Sequence, residues 1–120
     1  MTKQELLQRT KTDALGVIKA VQALPRNEVA QVLGRQLLRS GTSVGANYRA
    51  ACRAKSTPDF VNQLKIVEEE CDESLYWMEL LVESESMSLG RMETLMREGD
   101  EILAIIGSAI KTTRAGRSGA

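Results

Sequence analysis

The chain has 120 residues, a length that fits one domain able to bury a core without disulfides or metal ions. Only 3% of its residues are aromatic, so we expect an aliphatic core of packed helices. The absence of histidine excludes Ser-His-Asp and Cys-His nucleophile systems and the Glu-x-x-His motifs of di-iron bundles. We therefore predict no catalytic, cofactor-binding or metal-binding residues and expect a protein that is not an enzyme. A bundle enzyme that uses carboxylates stays open as the weakest alternative.

Nothing in the sequence predicts export or membrane insertion. Residues 1–20 lack an apolar run behind a basic start, and no stretch reaches the roughly 18 apolar residues of a membrane span. The two cysteines, Cys52 and Cys71, have no second thiol or histidine at ligand spacing, which favours reduced and buried side chains. We expect a cytoplasmic protein without a membrane partner.

The net charge is zero, but the charges are segregated along the chain. Residues 1–56 carry ten basic and three acidic side chains, which gives a net charge of +7. Residues 57–120 carry six basic and thirteen acidic side chains, which gives −7. This division favours either self-complementary assembly or a basic surface for an anionic partner.

Two helices are predicted in the basic half. The first begins at a capping box, Thr2-Lys3-Gln4-Glu5, and ends before Pro25, whereas the second is capped by Asn27. Each has apolar or small residues at the spacing of one helical stripe. These stripes are Leu7, Thr10, Ala14, Val17, Val21 and Leu24 in the first helix, and Ala30, Leu33, Leu37, Val44, Tyr48 and Ala51 in the second.

Two more helices are predicted in the acidic half. Thr57-Pro58-Asp59 supplies a capping hydroxyl, a proline and an acid at the start of the third helix. Its heptad seam is Phe60, Leu64, Val67, Cys71, Ser74, Met78 and Leu81, and the fourth stripe is Met92, Leu95, Gly99, Ile102, Ile106 and Ala109. Four helices with short connections predict an all-α, antiparallel up-down-up-down four-helix bundle over residues 1–115, followed by a flexible tail at 116–120.

The second predicted helix contains an unusual run of small and β-branched residues, Ser40-Gly41-Thr42-Ser43-Val44-Gly45-Ala46. Gly41 and Gly45 lie on one flank, and Ser43 and Asn47 lie on the other. Two glycines inside a helix cost roughly 1 kcal/mol each in propensity, so we expect close packing to compensate. We predict a tight-packing segment of Gly41, Ser43, Gly45 and Asn47 against a neighbouring helix, a second subunit or a ligand.

Four arginines flank this segment and share one face of the helix. Arg35, Arg39, Arg49 and Arg53 lie within an arc of about 80° and along about 27 Å of helix. We predict that this arginine stripe binds an anion or nucleic acid. The alternative is ion pairing within or between subunits, because the third helix presents a matching acidic face. Its members are Glu69, Asp72, Glu73, Glu79 and Glu83.

Two segments, LPRNEVAQVLGRQLLRSGTSVGANYRAACRAKS and DFVNQLKIVEEECDESLYWMELL, resemble a bacterial four-helix-bundle family named after the 23S ribosomal-RNA intervening-sequence proteins. The similarity runs from about Glu5 to Arg114. It implies a ring, usually a homopentamer, and a fold similar to the accessory variability determinant of diversity-generating retroelements, a basic pentamer that works with a reverse transcriptase and nucleic acid. Two residues depart from the family pattern: Ala50 replaces a frequent acid, and Asp13 replaces a large apolar residue.

Two functional hypotheses follow. The first is a non-enzymatic oligomer that binds RNA or a nucleoprotein partner through Arg35, Arg39, Arg49 and Arg53. The second is a self-assembling structural scaffold, or protein interaction module, whose basic and acidic faces pair head to tail around a ring. The zero net charge favours the second hypothesis over strong nonspecific nucleic-acid binding.

Overall fold

The computed structural model of the protein describes the backbone of residues 1–119 and the side chains of residues 1–116. Its described part contains four α-helices and no strand: α1 (Lys3–Gln22), α2 (Glu28–Ala51), α3 (Thr57–Glu83) and α4 (Leu89–Gly119). The predicted all-α class is therefore confirmed. The predicted tail at 116–120 overlaps the last residues of α4 and extends outside the described residues, so it stays a prediction.

The helix starts follow from local capping chemistry. Thr2 Oγ1 accepts a hydrogen bond from the Glu5 backbone N–H at 3.1 Å, and Asn27 Oδ1 caps α2 in the same way. At α3 the cap is Ser56 and not Thr57, because Ser56 Oγ accepts from the Asp59 N–H at 3.2 Å. The predicted start of α3 was therefore wrong by one residue. Pro58 still lies in the first turn, where its missing N–H breaks no helical hydrogen bond.

Each helix packs against two others: α1 contacts α2 and α4, and α3 contacts the same two helices. Within the described residues α1 does not approach α3, and α2 does not approach α4. The helices therefore occupy the four corners of an elongated body of 53 × 21 × 21 Å. The side formed by α1 and α2 consequently lies opposite the side formed by α3 and α4.

The core consists of two apolar clusters separated by a polar layer. The Leu64 cluster includes Leu6, Val44, Tyr48, Val61, Leu64, Val67, Cys71, Ile102 and Ile106. The Leu37 cluster includes Val17, Leu24, Ala30, Leu37, Met78, Leu81, Met87 and Met92. Between them on α1, α2 and α3 lie four buried polar residues, the polar layer: Thr10, Asp13, Ser40 and Ser74.

The buried face of α1 differs from the predicted stripe. Leu6 and Asp13 are buried, whereas Leu7 and Ala14 of the predicted stripe are only half-buried. Since α1 packs against α4 as well as α2, its buried face is turned towards Leu6 and Asp13. The charge-bearing Asp13 therefore lies in the core.

Candidate nucleic-acid interface and the grooves beside it

The four arginines of the stripe are all exposed on α2, but only Arg39 is engaged by acids. Its guanidinium donates hydrogen bonds to Glu73 and, at 3.2 Å, to Glu70 Oε2. The hydrogen bond from Arg39 lowers the pKa of Glu73. Arg39 thus adopts the ion-paired alternative, with one partner from the predicted acidic face and one, Glu70, from outside it. The sequence did not identify Glu70 because the rotation of α3 against α2 is set by tertiary packing.

The other three arginines divide into two environments. Among the described side chains, Arg35, Arg49 and Arg53 form no ion pair. Arg49 lines a groove between α1 and α2, while Arg35 and Arg53 lie outside that groove. The stripe is therefore one paired arginine, one groove-lining arginine and two exposed arginines at its ends.

The two glycines of the predicted tight-packing segment face α1. A Cβ atom at Gly41 would lie 2.8 Å from Val17 Cγ1, which is closer than van der Waals contact. At Gly45 a Cβ would lie 3.4 Å from the Thr10 carbonyl oxygen, so the backbone of α1 itself is near. Of the partners considered from the sequence, a neighbouring helix thus occupies the space above these glycines.

Ser43 and Asn47 behave differently from the glycines. The Ser43 hydroxyl donates to the Arg39 carbonyl at 2.7 Å, and Asn47 Nδ2 donates to the Ser43 carbonyl at 2.9 Å. Both side chains are half-buried. They therefore satisfy their polar groups on α2 itself, as short polar side chains in helices commonly do.

A serine pair joins α2 and α3 in the polar layer. The Ser40 and Ser74 hydroxyl oxygens lie 2.9 Å apart, and Ser74 Oγ also lies 2.8 Å from the Glu70 carbonyl oxygen. Both side chains are buried. Two small side chains that hydrogen-bond each other allow a close helix contact without an unsatisfied hydroxyl.

Asp13 is the polar-layer residue whose hydrogen bonds are incomplete. It is 7% exposed, and its Oδ1 has no hydrogen-bond partner among the described residues. Burial, reinforced by the charge of Glu98, raises the pKa of Asp13 to about 6, although the nearby Arg9 opposes the shift. Arg9 is itself held by two carboxylates, with Nε 2.6 Å from Glu98 Oε2 and Nη2 2.7 Å from Glu101 Oε2.

The α1–α2 groove is a concavity of about 460 Å³ on the basic side of the bundle. Its charged residues are Lys11 and Arg49, and none of its lining residues is acidic. The other lining residues are amides, small residues and one leucine: Gln4, Gln8, Leu7, Thr10, Ala14, Thr42, Gly45 and Ala46. The close approach of α1 to Gly45 makes the floor of this groove shallow and free of large side chains.

The α3–α4 groove lies on the opposite side and has the opposite charge. It encloses about 300 Å³ and is lined by three acids, three apolar side chains and one tyrosine: Asp72, Glu79, Asp100, Leu75, Met96, Leu103 and Tyr76. Tyr76 is 53% exposed, and its ring meets the edge of Trp77 at a centroid distance of 5.2 Å. Trp77 is half-buried and donates its Nε1–H to Glu73.

No group of three or more Cys, Asp or Glu side chains in the described part of the chain is placed to hold a metal ion. Both cysteines are free, and Cys71 is buried with its Sγ 3.3 Å from the Gly99 carbonyl oxygen. Burial raises the pKa of the Cys71 thiol to about 12, so the unreactive thiol form prevails. Of the described helices, none is long and apolar enough to cross a membrane.

Comparison with known proteins identifies one family and one solved structure. The family model described as 23S rRNA-intervening sequence protein matches residues 2–108. A crystal structure from Bacteroides thetaiotaomicron VPI-5482, described as a protein with unknown function from the S23 ribosomal protein family, is 33% identical and superposes with a TM-score of 0.86. The match covers 92% of this chain and 99% of that chain. No curated protein matches the chain.

Proposed function

Because the chain belongs to the 23S rRNA-intervening sequence protein family, we propose that it is a non-enzymatic, oligomeric four-helix-bundle protein that binds RNA, alone or in a nucleoprotein, through the arginines of α2. The observation that carries the proposal is the exposure of Arg35, Arg49 and Arg53 without an ion pair among the described side chains. An exposed guanidinium suits bidentate contact with phosphate. Arg39 contributes less, because Glu70 and Glu73 already occupy its donors.

The proposed bundle runs up, down, up and down. Along α2, Gly34, Gly41 and Gly45 lie beside Leu24, Val17 and Thr10 of α1 respectively, so the order along one helix opposes the order along the other. In the same way, Gly99 and Gly107 of α4 lie beside Leu75 and Glu68 of α3. Both pairings support antiparallel neighbours joined by short connections.

The proposal includes assembly into a ring, and the family resemblance favours five subunits. In one copy, Arg35 and Arg53 are separated by about 27 Å of helix at 1.5 Å per residue. Two such distant cations give weak binding, whereas a ring repeats them in every subunit and increases the effective concentration of contacts. Assembly and RNA binding are therefore linked in this proposal, and we place both in the cytoplasm.

The test is a fluorescence-anisotropy titration of a labelled structured RNA at several salt concentrations. We expect binding that weakens steeply with salt, because phosphate contacts release counterions. The Arg35→Gln/Arg53→Gln variant should weaken binding and reduce the magnitude of the salt slope by about 1 per lost contact and per participating subunit. The matched control is Arg91→Gln/Arg97→Gln, which removes the same charge from exposed positions on α4.

The control separates a specific surface from general electrostatic attraction. Equal losses in the two variants would show that net charge alone drives binding, and the stripe would not be the RNA site. An absence of binding even near ~50 mM salt, where phosphate contacts are strong, would contradict the proposal altogether.

The second candidate function is a structural scaffold without RNA. The pairing of Arg39 with Glu70 and Glu73 favours it, because it shows that the acids of this chain attract the arginines of the stripe. A protein that ignores RNA but dissociates into monomers with increasing salt would support this candidate.

A further inference from the structure

We infer that copies of this chain associate through opposite sides, with Tyr76 of one copy seated in the α1–α2 groove of the next. In this contact, the carboxylates around Tyr76 face Lys11 and Arg49 of the neighbouring copy. The inference rests on the oligomer in the proposed function and names the surfaces that form it.

Charge complementarity is the first argument. The α1–α2 groove is lined by Lys11 and Arg49 and by no acid. The α3–α4 groove is lined by three carboxylates and by no basic residue. A surface of one sign therefore faces away from the bundle on each side, and a second copy of the same chain supplies the matching sign.

Shape is the second argument. Tyr76 is half-exposed beside an acidic groove, and an exposed tyrosine is a frequent anchor at protein interfaces. The α1–α2 groove offers a floor of small residues, including Gly45 and Ala46, over about 460 Å³. An aromatic ring fits a floor of this kind, and the amides of Gln4 and Gln8 lie in reach of a phenol hydroxyl at the same groove.

The position of the two surfaces determines the type of assembly. They lie on opposite sides of the bundle, since α1 and α2 occupy two adjacent corners and α3 and α4 the other two. Each copy therefore uses one surface for the copy before it and the other for the copy after it. Such a head-to-tail contact produces a closed ring when the rotation between copies closes, and an open filament when it does not.

The inference changes the assignment of one arginine in the stripe. Arg49 contacts the neighbouring subunit, while Arg35 and Arg53, which lie outside the groove, stay available for phosphate. The stripe thus serves assembly at one position and RNA at two. For this reason, RNA binding and assembly respond to different variants.

The test is the molar mass in solution, measured by size-exclusion chromatography with light scattering at about 150 mM salt, where surface charges are partly screened. We expect the wild-type protein to be larger than a monomer. The Tyr76→Ala variant should raise the dissociation constant by about 30-fold, the effect of losing an interface anchor. The variants Lys11→Glu/Arg49→Glu and Asp72→Lys/Asp100→Lys should each be monomeric, and the chain that combines all four changes should assemble again.

Two controls make the result decisive. Lys111→Glu/Arg114→Glu changes the net charge as much as the basic-side variant but lies outside both grooves, and it should keep the wild-type mass. Circular dichroism checks that each monomeric variant is folded, and recovery in the combined chain excludes a folding defect as the cause.

The alternative outcomes separate this inference from the proposed function. A wild-type oligomer that survives the Tyr76 and charge-reversal variants overturns the inference and leaves the proposed oligomer intact. A wild-type monomer at every salt concentration overturns both. Assembly that breaks in each reversed chain but does not recover in the combined chain also overturns the pairing inferred here.

Discussion

The two apolar clusters and the polar layer between them hold the same four helices together by different means. The clusters bury aliphatic side chains, and Leu37 and Leu64 are completely inaccessible to water. In the polar layer, helices meet through Gly41, through the hydroxyls of Ser40 and Ser74, and around the incompletely bonded Asp13. The comparison teaches that the clusters supply most of the stabilising free energy, while the layer determines how closely and in which alignment the helices pack.

The largest effect is expected in the clusters. Leu64→Ala and Leu37→Ala should each lower the free energy of unfolding by about 2–5 kcal/mol, because a lost buried side chain leaves a cavity. Urea unfolding followed by circular dichroism at a fixed protein concentration measures this change. The control, Val32→Ala, truncates a side chain that is 43% exposed and should change stability by less than about 0.5 kcal/mol. Similar losses at all three positions would contradict the division of the core.

The next effect concerns Asp13 and depends on pH. The pKa of Asp13 is about 6 in the folded protein, against an ordinary value of about 3.9 when unfolded, so the folded state holds the proton more tightly. Stability should therefore fall as the pH rises between these two values, by about 2–3 kcal/mol in total, and then stay level with respect to this group. Asp13→Asn should lack this loss.

The measurement for Asp13 is the difference in unfolding free energy between wild type and Asp13→Asn from about pH 4 to about pH 7. Glu73 and Glu98, whose pKa values are lowered, lose stabilisation on acidification in both proteins, so the difference isolates Asp13. Asp13→Leu should raise stability at neutral pH, because an apolar side chain needs no hydrogen-bond partner. Parallel curves for wild type and Asp13→Asn would contradict the assignment.

A smaller effect is expected where α2 passes closest to α1. Gly41→Ala places a Cβ within 2.8 Å of Val17, a β-branched side chain with little rotamer freedom. Overpacking outweighs the gain in helix propensity, and we expect a net loss of about 1 kcal/mol. At Gly90 nothing lies within 4 Å of a Cβ, so Gly90→Ala should be neutral or stabilise by about 0.5 kcal/mol. Thermal or urea unfolding of both variants checks the opposite signs.

The smallest effect concerns the ion pairs that join α1 to α4 outside the core. Arg9→Gln removes the contacts with Glu98 and Glu101 and should cost about 0.5–1 kcal/mol, less at high salt. Arg97→Gln removes only a pair within α4, where both side chains are more than half exposed, and should have no measurable effect. Equal urea midpoints for Arg9→Gln and wild type at low salt would show that this pair contributes nothing.

The local features of the fold were readable from the sequence. Capping residues such as Thr2 and Asn27 mark helix starts because they act on backbone groups only three positions away. The α3 seam was correct from Leu64 to Leu81, since its regular spacing leaves one choice for the buried face. Capping also explains the one-residue error at α3, where Ser56 and Thr57 offer equivalent hydroxyls.

The features that depend on how helices turn against each other were not readable. Asp13 lies in register with Leu6, Thr10 and Val17, so the signal for its burial existed, but an acidic side chain argues against a core position. The four arginines share a face in the sequence, yet their partners depend on the rotation of α3 and on the groove beside α1. For this reason the stripe, which is continuous in the sequence, has three different environments in the fold.

The Ser40–Ser74 pair has a consequence for which alignments the chain can adopt. The seam of α3 repeats every seven residues, so a sliding of α3 by one repeat would keep most apolar contacts and would place Val67 or Leu81 opposite Ser40. Each serine would then lie in hydrocarbon beside an aliphatic neighbour, and both would lose the hydroxyl contact that joins them. The pair thus works as a key in a lock with equally spaced notches: one setting of α3 against α2 turns, and the otherwise similar settings do not.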